Sequence, residues 1–353
     1  KKKKLIKIAN MIKFLRIIKT LISTLLILGR KKPKGWKSLI HNSVKSYFRL
    51  PKNLMMPVHV SIEPTNTCNA QCPVCETGNN GMKRQTGRLD FKNFKKLIDQ
   101  IYKHTNTLFY YFMGEPFLNK HSYEMIRYAR DKGIYVETCT NGDLVNPEKL
   151  LDSGINKIAF QIGGMDQTTH EIYRVNSYLN KIQKNLKRLI NLRESHENGK
   201  DLHIEVGFIV MRHNESQVDS FIEWAKKLKV DTYTVVNPCV RNLLEGHAYL
   251  PKNKKYWFYD EEAYNNGILK PNHVPNNECV WIWNSIQINW NGDVVPCCRD
   301  TNGDYVLGNI FKDDFDKVWN GEKALKFRKQ ILDKQNKVNL CSLCSGYGIP
   351  NMQ

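Results

Sequence analysis

Six short runs rich in Val, Ile, Thr and Phe, at 58–65, 108–113, 134–140, 157–162, 203–210 and 232–236, alternate with helical patterns near 90–104, 121–132, 146–153, 167–194 and 215–229. That alternation constrains the chain more than any other feature. A strand joined through a helix to the next strand runs parallel to it with a right-handed crossover, and repeating the unit curls the sheet. The fourth helical segment carries Ile172, Leu179, Ile182, Leu186 and Leu189 as one apolar face. The expected fold class is α/β, a partial (βα)6 TIM-like barrel over residues 53–240, with its chemistry at the C-terminal ends of the strands.

The cysteines fall where that rule puts chemistry. Cys68, Cys72 and Cys75 follow the first strand as Cys-x3-Cys-x2-Cys, and Cys279, Cys297, Cys298, Cys341 and Cys344 gather near the C-terminus, with Cys139 and Cys239 apart. Ten cysteines in 353 residues are too sparse for a secreted disulfide scaffold, so the clusters read as metal or redox sites in a reducing compartment, the cytoplasm. Three thiolates in eight residues can hold an iron–sulfur cubane while leaving its fourth iron open to a ligand. A closed zinc site is the competing reading and needs a fourth ligand nearby.

The loop resembles the hallmark of the radical S-adenosylmethionine (SAM) family, and the resemblance extends over about residues 58–240. Gly114-Glu115-Pro116, at the end of the second strand, is similar to the family's motif for the SAM amino group: the Gly lets backbone approach a ligand and the carboxylate can pair an ammonium. Thr140-Asn141-Gly142 resembles the third-strand turn, Gln161 with Gly163-Gly164 stands near the expected ribose, and Arg174 stands where an arginine meets the SAM carboxylate. A surface helix arginine is the alternative for Arg174. Val74 replaces the aromatic residue usual beside adenine, so adenine packing there is expected to be aliphatic. The resemblance implies a [4Fe-4S] cluster binding SAM, an electron donor such as ferredoxin or flavodoxin, and reductive cleavage to a 5′-deoxyadenosyl radical that abstracts hydrogen from substrate.

Cys279, twelve residues, Gly292, four residues, Cys297, then Cys341-Ser-Leu-Cys344 resembles the family's SPASM or shorter twitch extension over residues 241–353. This implies one auxiliary [4Fe-4S] cluster on Cys279, Cys297, Cys341 and Cys344, with Cys298 spare and a zinc ribbon as the alternative. Asn291-Gly292 supplies a hairpin turn; the segments 307–310 and 318–320 resemble core pieces of that domain. Cys139 and Cys239 read first as small buried residues. Cys239, after the sixth strand, carries a second reading as a catalytic hydrogen-atom donor or an extra cluster contact.

Residues 1–52 form a basic helical arm with sixteen Lys/Arg and no Asp or Glu; subtracting sixteen from the net +20 leaves the body only +4. Within 5–29, Ile8, Met11, Leu15, Ile18, Ile22 and Leu25 recur at helical spacing. The charge-free stretch from Thr20 to Gly29 is too short to span a bilayer. An anionic membrane surface is the leading partner for 5–29, ahead of packing within the protein or a dimer, and nucleic acid comes last because phosphate does not call for an aliphatic stripe. A signal peptide fits poorly, since no small-residue cleavage site follows. The expected enzyme is therefore peripheral on the inner face of the membrane and acts on a lipid or lipid-linked substrate; the alternatives are a peptide or protein maturase and a non-enzymatic iron–sulfur electron carrier.

Overall fold

The structure is a computed structural model, and it describes residues 36–52 and 55–344. The amphipathic segment 5–29 lies outside the described residues. In chain order come α1 (Trp36–Tyr47), β1 (His59–Ile62), α2 (Phe91–Ile101), β2 (Thr107–Phe109), α3 (Ser122–Asp131), β3 (Tyr135–Thr140), α4 (Pro147–Asp152), β4 (Lys157–Ile162), α5 (Gln167–Tyr173), α6 (Leu179–Arg193), β5 (His203–Ile209), α7 (Val218–Leu228) and β6 (Thr232–Val236). Then follow α8 (Leu243–Tyr249), α9 (Glu261–Asn265), α10 (Trp281–Asn284), β7 (Ser285–Ile288), β8 (Asp293–Val295), β9 (Gly308–Asn309), α11 (Phe315–Trp319) and α12 (Glu322–Lys334). The six expected strands form and pair in parallel in the sequence order β1 to β6.

Side chains alternate between the two faces of each strand. One face carries Val60, Ile62, Leu108, Val136, Ile158, Phe160, Ile204, Val206 and Phe208, all buried against the helices in the main core. The other carries Ser61, Glu63, Tyr111, Glu137, Cys139, Lys157, Gln161 and Glu205, so the inside of the part-barrel is polar. A core between sheet and helices, rather than within the barrel, leaves the lumen free for ligands. Caps fix where the helices begin: Asp90 accepts from Asn93 N at 3.0 Å, and Asn146 from Lys149 N at 2.9 Å with Pro147 at the first helical position.

Two features differ from the sequence reading. The segment 167–194 is two helices, because Arg174 leaves helical geometry and Asn176 takes φ +64°, a left-handed conformation Asn tolerates better than most residues. The sheet also continues past six strands: β7 pairs in parallel with β1, and the antiparallel β8 and β9 extend it to nine strands. The expected hairpin turn is there, with Gly292 at φ +87° between β7 and β8. Of the two core segments expected nearby, Ile310, Val318 and Trp319 are buried.

A candidate cofactor site at the strand ends

The loop after β1 is held by its neighbours rather than by regular structure of its own. Gln71 N donates to Val175 O at 2.9 Å, Asn141 Nδ2 to Asn69 Oδ1 at 2.9 Å, and Asn69 Nδ2 to Asp143 Oδ2 at 3.2 Å. The segments after β3 and α5 therefore set its shape. Gly114, at φ +78°, lies so close beneath that a Cβ there would stand 2.5 Å from Thr67 O and 2.6 Å from Thr65 O.

Around this loop is a cavity of about 220 Å³ lined by Cys68, Cys72 and Cys75 together with Gly114, Glu115, Thr140, Asn141, Gln161 and Arg174. One space thus gathers the three loop cysteines and most of the residues the resemblance nominated for SAM. Pro116 does not line it; it opens a short turn, and its carbonyl accepts from Ser122 Oγ at 2.6 Å. Val74 does not line it either, being packed with Tyr173, Met211 and Val240 in a second core cluster. Tyr111 and Phe112 supply aromatic wall that sequence reasoning missed, their strand end having been read only as barrel.

Glu115 is buried, and its carboxyl accepts from Thr140 Oγ1 at 2.7 Å, Asn141 N at 2.9 Å and Phe117 N at 3.3 Å. Burial still pushes its pKa up to about 7. Such a group is poised to receive a cationic or strongly donating ligand. Arg174 is half-buried, with Nη1 3.6 Å from Cys72 Sγ and a solvent-shielded Nε that has no partner. It faces the cavity, which removes the surface reading. His170 ties together the turns on either side of it: Nδ1 accepts from Gly163 N at 3.1 Å, leaving Nε2–H for Ser177 Oγ at 3.1 Å, and burial lowers its pKa to about 4. Gln161 reaches the lumen because Gly207 beneath it has no side chain; a Cβ there would meet Gln161 Oε1 at 2.4 Å.

Burial pushes the Cys68 thiol up to about 12 and raises Cys75. Thiols this reluctant to ionise become ligands only where a metal supplies positive charge, so the donor set fits an iron–sulfur cluster. Ala70 N at 3.4 Å and Asn141 Nδ2 at 3.8 Å point at Cys68 Sγ, the donors expected around a cluster thiolate.

A second thiol group forms in the C-terminal part. Burial pushes the Cys279 thiol up to about 12 and Cys341 to about 11 and raises Cys297 well above its ordinary value, and nearby thiols add to each shift: Cys344 and Cys341 at Cys279, Cys279 and Cys341 at Cys297, and Cys344 at Cys341. Gln335 joins the separated loops: its Oε1 accepts from Glu278 N at 2.9 Å, and its Nε2 donates to Glu278 O at 3.1 Å and lies 3.8 Å from Cys341 Sγ. Among the described residues no three His, Cys, Asp or Glu side chains converge tightly enough for a single metal ion. Thiolates of a cubane sit on separate irons and stand further apart.

Cys239 is not part of the cavity wall. Its Sγ accepts from Arg241 Nη1 at 3.2 Å and Arg299 Nη1 at 3.3 Å; Arg241 also holds Glu76, next to Cys75, at 2.7 and 2.9 Å. Arg299 Nη2 donates to Leu343 O at 2.8 Å. Cys239 is therefore the middle of a bridge between the two cysteine-bearing regions. Cys139, read as a packing residue, lines the cavity instead.

This geometry agrees with comparison to known proteins. The chain matches the radical SAM superfamily over residues 62–225 and the SPASM iron–sulfur cluster-binding domain over 279–345. It belongs to the radical SAM superfamily, as a member with a C-terminal SPASM domain, and is an enzyme whose cofactors are a SAM-binding [4Fe-4S] cluster and auxiliary iron–sulfur. It is 23% identical over 318 residues to the tungsten-containing aldehyde ferredoxin oxidoreductase cofactor-modifying protein of Pyrococcus furiosus, covering 81% of this chain and 87% of that one. It is 26% identical over 185 residues to the PqqA peptide cyclase of Bradyrhizobium diazoefficiens, covering 52% and 47%. In fold it is similar to Streptococcus suis SuiB bound to precursor peptide SuiA, with a TM-score of 0.61 at 15% identity over 89% of this chain and 76% of that one.

Proposed function

We propose that this radical SAM enzyme modifies a peptide or protein. The observation that carries the reading is a row of buried polar side chains at β7, two of them amides. Gln287 pairs with Ser61, whose Oγ donates to the carbonyl of Tyr111, a cavity residue; by alternation Ser285, Gln287 and Asn289 share that inner face. Asn289 is buried with neither end of its amide partnered, and Gln287 Oε1 and Ser285 Oγ are also buried without partners. Leaving such groups unmet costs about 1–3 kcal/mol each, and their complement is another amide. The names of the PqqA peptide cyclase and of SuiB with its precursor peptide support the same substrate class. The lipid substrate expected from the basic arm finds no such support among the relatives.

When bound, the cluster and SAM supply one-electron cleavage and hydrogen abstraction from substrate. In this reading the chain's part is to hold and orient. Cys68, Cys72 and Cys75 hold the cluster, Glu115 and Arg174 grip the amino and carboxylate ends of the methionine, and Thr140, Asn141 and Gln161 position the rest. Cys279, Cys297, Cys341 and Cys344 hold a single auxiliary cluster, and the domains divide at 52/53 and 240/241. The Glu76–Arg241–Cys239–Arg299 bridge makes Cys239 a positioning residue first and leaves a hydrogen-donating role to be tested by its variant. The test of the substrate class is anaerobic incubation of reconstituted enzyme with SAM and reductant, offering short peptides encoded beside its gene in one arm and lipid extract in another. A peptide whose mass changes in step with 5′-deoxyadenosine is the expected result. A change in lipid alone would return the substrate to the lipid class.

A further inference from the structure

Helix α1 is docked through the face that partitioning would turn outward. Ser38, Leu39, Asn42 and Ser43 are buried; Asn42 Nδ2 donates to Met55 O at 3.0 Å and Met56 O at 3.3 Å, and Asn284 Nδ2 to Ser43 Oγ at 3.4 Å. Just beyond the helix, Arg49 donates to Leu332 O and Trp283 Nε1 to Leu50 O at 3.2 Å. The outward face presents Ile40, Val44 and Tyr47, spaced by four and three residues and 43, 46 and 37% exposed, and Phe48 continues it at 63%. A helix that only had to pack on its own body would bury the Ile, Val and Phe and expose the Asn and Ser. Lys37, His41 and Lys45, each four residues apart, form the adjoining stripe.

We propose that this face of α1 docks on an anionic lipid bilayer, the helix lying in the plane of the headgroups. An aliphatic and aromatic stripe edged by bases is the chemistry of interfacial helices. Charge selects this occupant over the others. Residues 1–52 contain sixteen Lys/Arg and no acid before Glu63, so a second copy, or the chain's own residues 1–35 with twelve of those bases, would set like charge against like. Among the described residues no helix is long and apolar enough to cross a membrane, and docking requires none. The inference is independent of the substrate reading: it concerns where the enzyme works. Since α1 packs on α10, directly after Cys279, docking would orient the auxiliary-cluster region toward the bilayer.

The test uses full-length, cluster-loaded protein sedimented with vesicles of phosphatidylcholine alone or mixed equally with phosphatidylglycerol. Wild-type protein is expected to bind the mixed vesicles at low salt and to be released as salt rises, because the screening length falls from about 10 Å at 0.1 M to about 3 Å at 1 M. Ile40→Asp/Val44→Asp, which keeps the whole arm, should weaken partitioning about tenfold or more, and Ile40→Ser/Val44→Ser should weaken it less, both with unchanged iron content. Light scattering reports the oligomeric state in parallel. The proposal is overturned if wild-type protein ignores both vesicle types or binds them equally. It is also overturned if the Asp variant binds as tightly as wild type, which assigns the binding to residues 5–29, or if wild type is a dimer that the variant splits, which assigns the face to a second copy.

Discussion

Replacing Glu115 with Gln tests the electrostatics of the cofactor pocket most directly. Three donated hydrogen bonds fail to offset burial, and the carboxyl titrates at about 7 instead of its ordinary 4.5. At about 1.4 kcal/mol per pKa unit, keeping Glu115 ionised costs the cofactor-free protein on the order of 3 kcal/mol. The sign follows from proton counting. Between 4.5 and about 7 the folded chain holds a proton the unfolded chain has lost, so this group's contribution to stability is full at low pH and falls as pH rises through that window. A donating SAM amino group reverses the preference, because it favours the carboxylate. SAM affinity should therefore rise with pH, and be roughly tenfold weaker at pH 6 than at pH 8, where deprotonating Glu115 no longer opposes binding. Glu115→Gln should bind SAM about tenfold or more weakly at pH 8 and should lose this slope, while retaining its iron. Equilibrium dialysis of labelled SAM against anaerobic, cluster-loaded protein at pH 6, 7 and 8 measures both, and the variant subtracts the cofactor's own titration. Identical pH slopes in wild type and variant would refute the assignment of Glu115 to the amino group.

Replacing Cys68, Cys72 and Cys75 together by Ala should halve an iron content near eight per chain and abolish 5′-deoxyadenosine formation, leaving the auxiliary cluster's absorption in place. Gly114→Ala, forcing a methyl against Thr65 O and Thr67 O at a positive φ, should lower SAM-cluster occupancy in iron analysis while the C-terminal thiols stay loaded. Arg84→Met should destabilise the fold by about 3–5 kcal/mol, read as a lower unfolding midpoint, because Arg84 grips the buried Glu63 at 2.7 and 2.8 Å and removing it strands that carboxylate. Cys239→Ser should preserve iron content; unchanged coupling of 5′-deoxyadenosine to product would confine Cys239 to its place in the bridge.

What the sequence disclosed was whatever repeats or clusters along it. The β/α alternation and the Cys-x3-Cys-x2-Cys spacing are local patterns, and the six strands they predict are in place within a few residues, while the single helix expected over 167–194 divides in two. Contacts made across the fold left no such trace. Val74 departs from the usual aromatic residue, but only packing decides that it lies in a core cluster rather than on the cavity wall. Tyr111, Cys139 and His170 gain their roles from facing the lumen or tying the turn at Gly163 to Ser177, and orientation depends on strand parity and helix ends. β7 is four residues in a loop-rich region, too short for alternation to announce, and its parallel pairing needs a partner more than two hundred residues away. In α1 Leu39, Ile40, Val44, Tyr47 and Phe48 recur at helical spacing, but that spacing does not say which face is buried.

The seventh strand bears on how such a protein can be taken apart. A cut at 240/241 respects the motifs, yet Ser285–Ile288 lies hydrogen-bonded along His59–Ile62, and Glu63 N donates to Ile288 O at 2.9 Å. Cleaved there, the amino-terminal fragment would bare the backbone of the very strand that leads into its cysteine loop, an open template for adhesion. Chimeras that exchange auxiliary domains between relatives therefore have their natural splice inside the sheet's register rather than at a linker, and a graft succeeds when its first strand matches the host's β1 residue for residue.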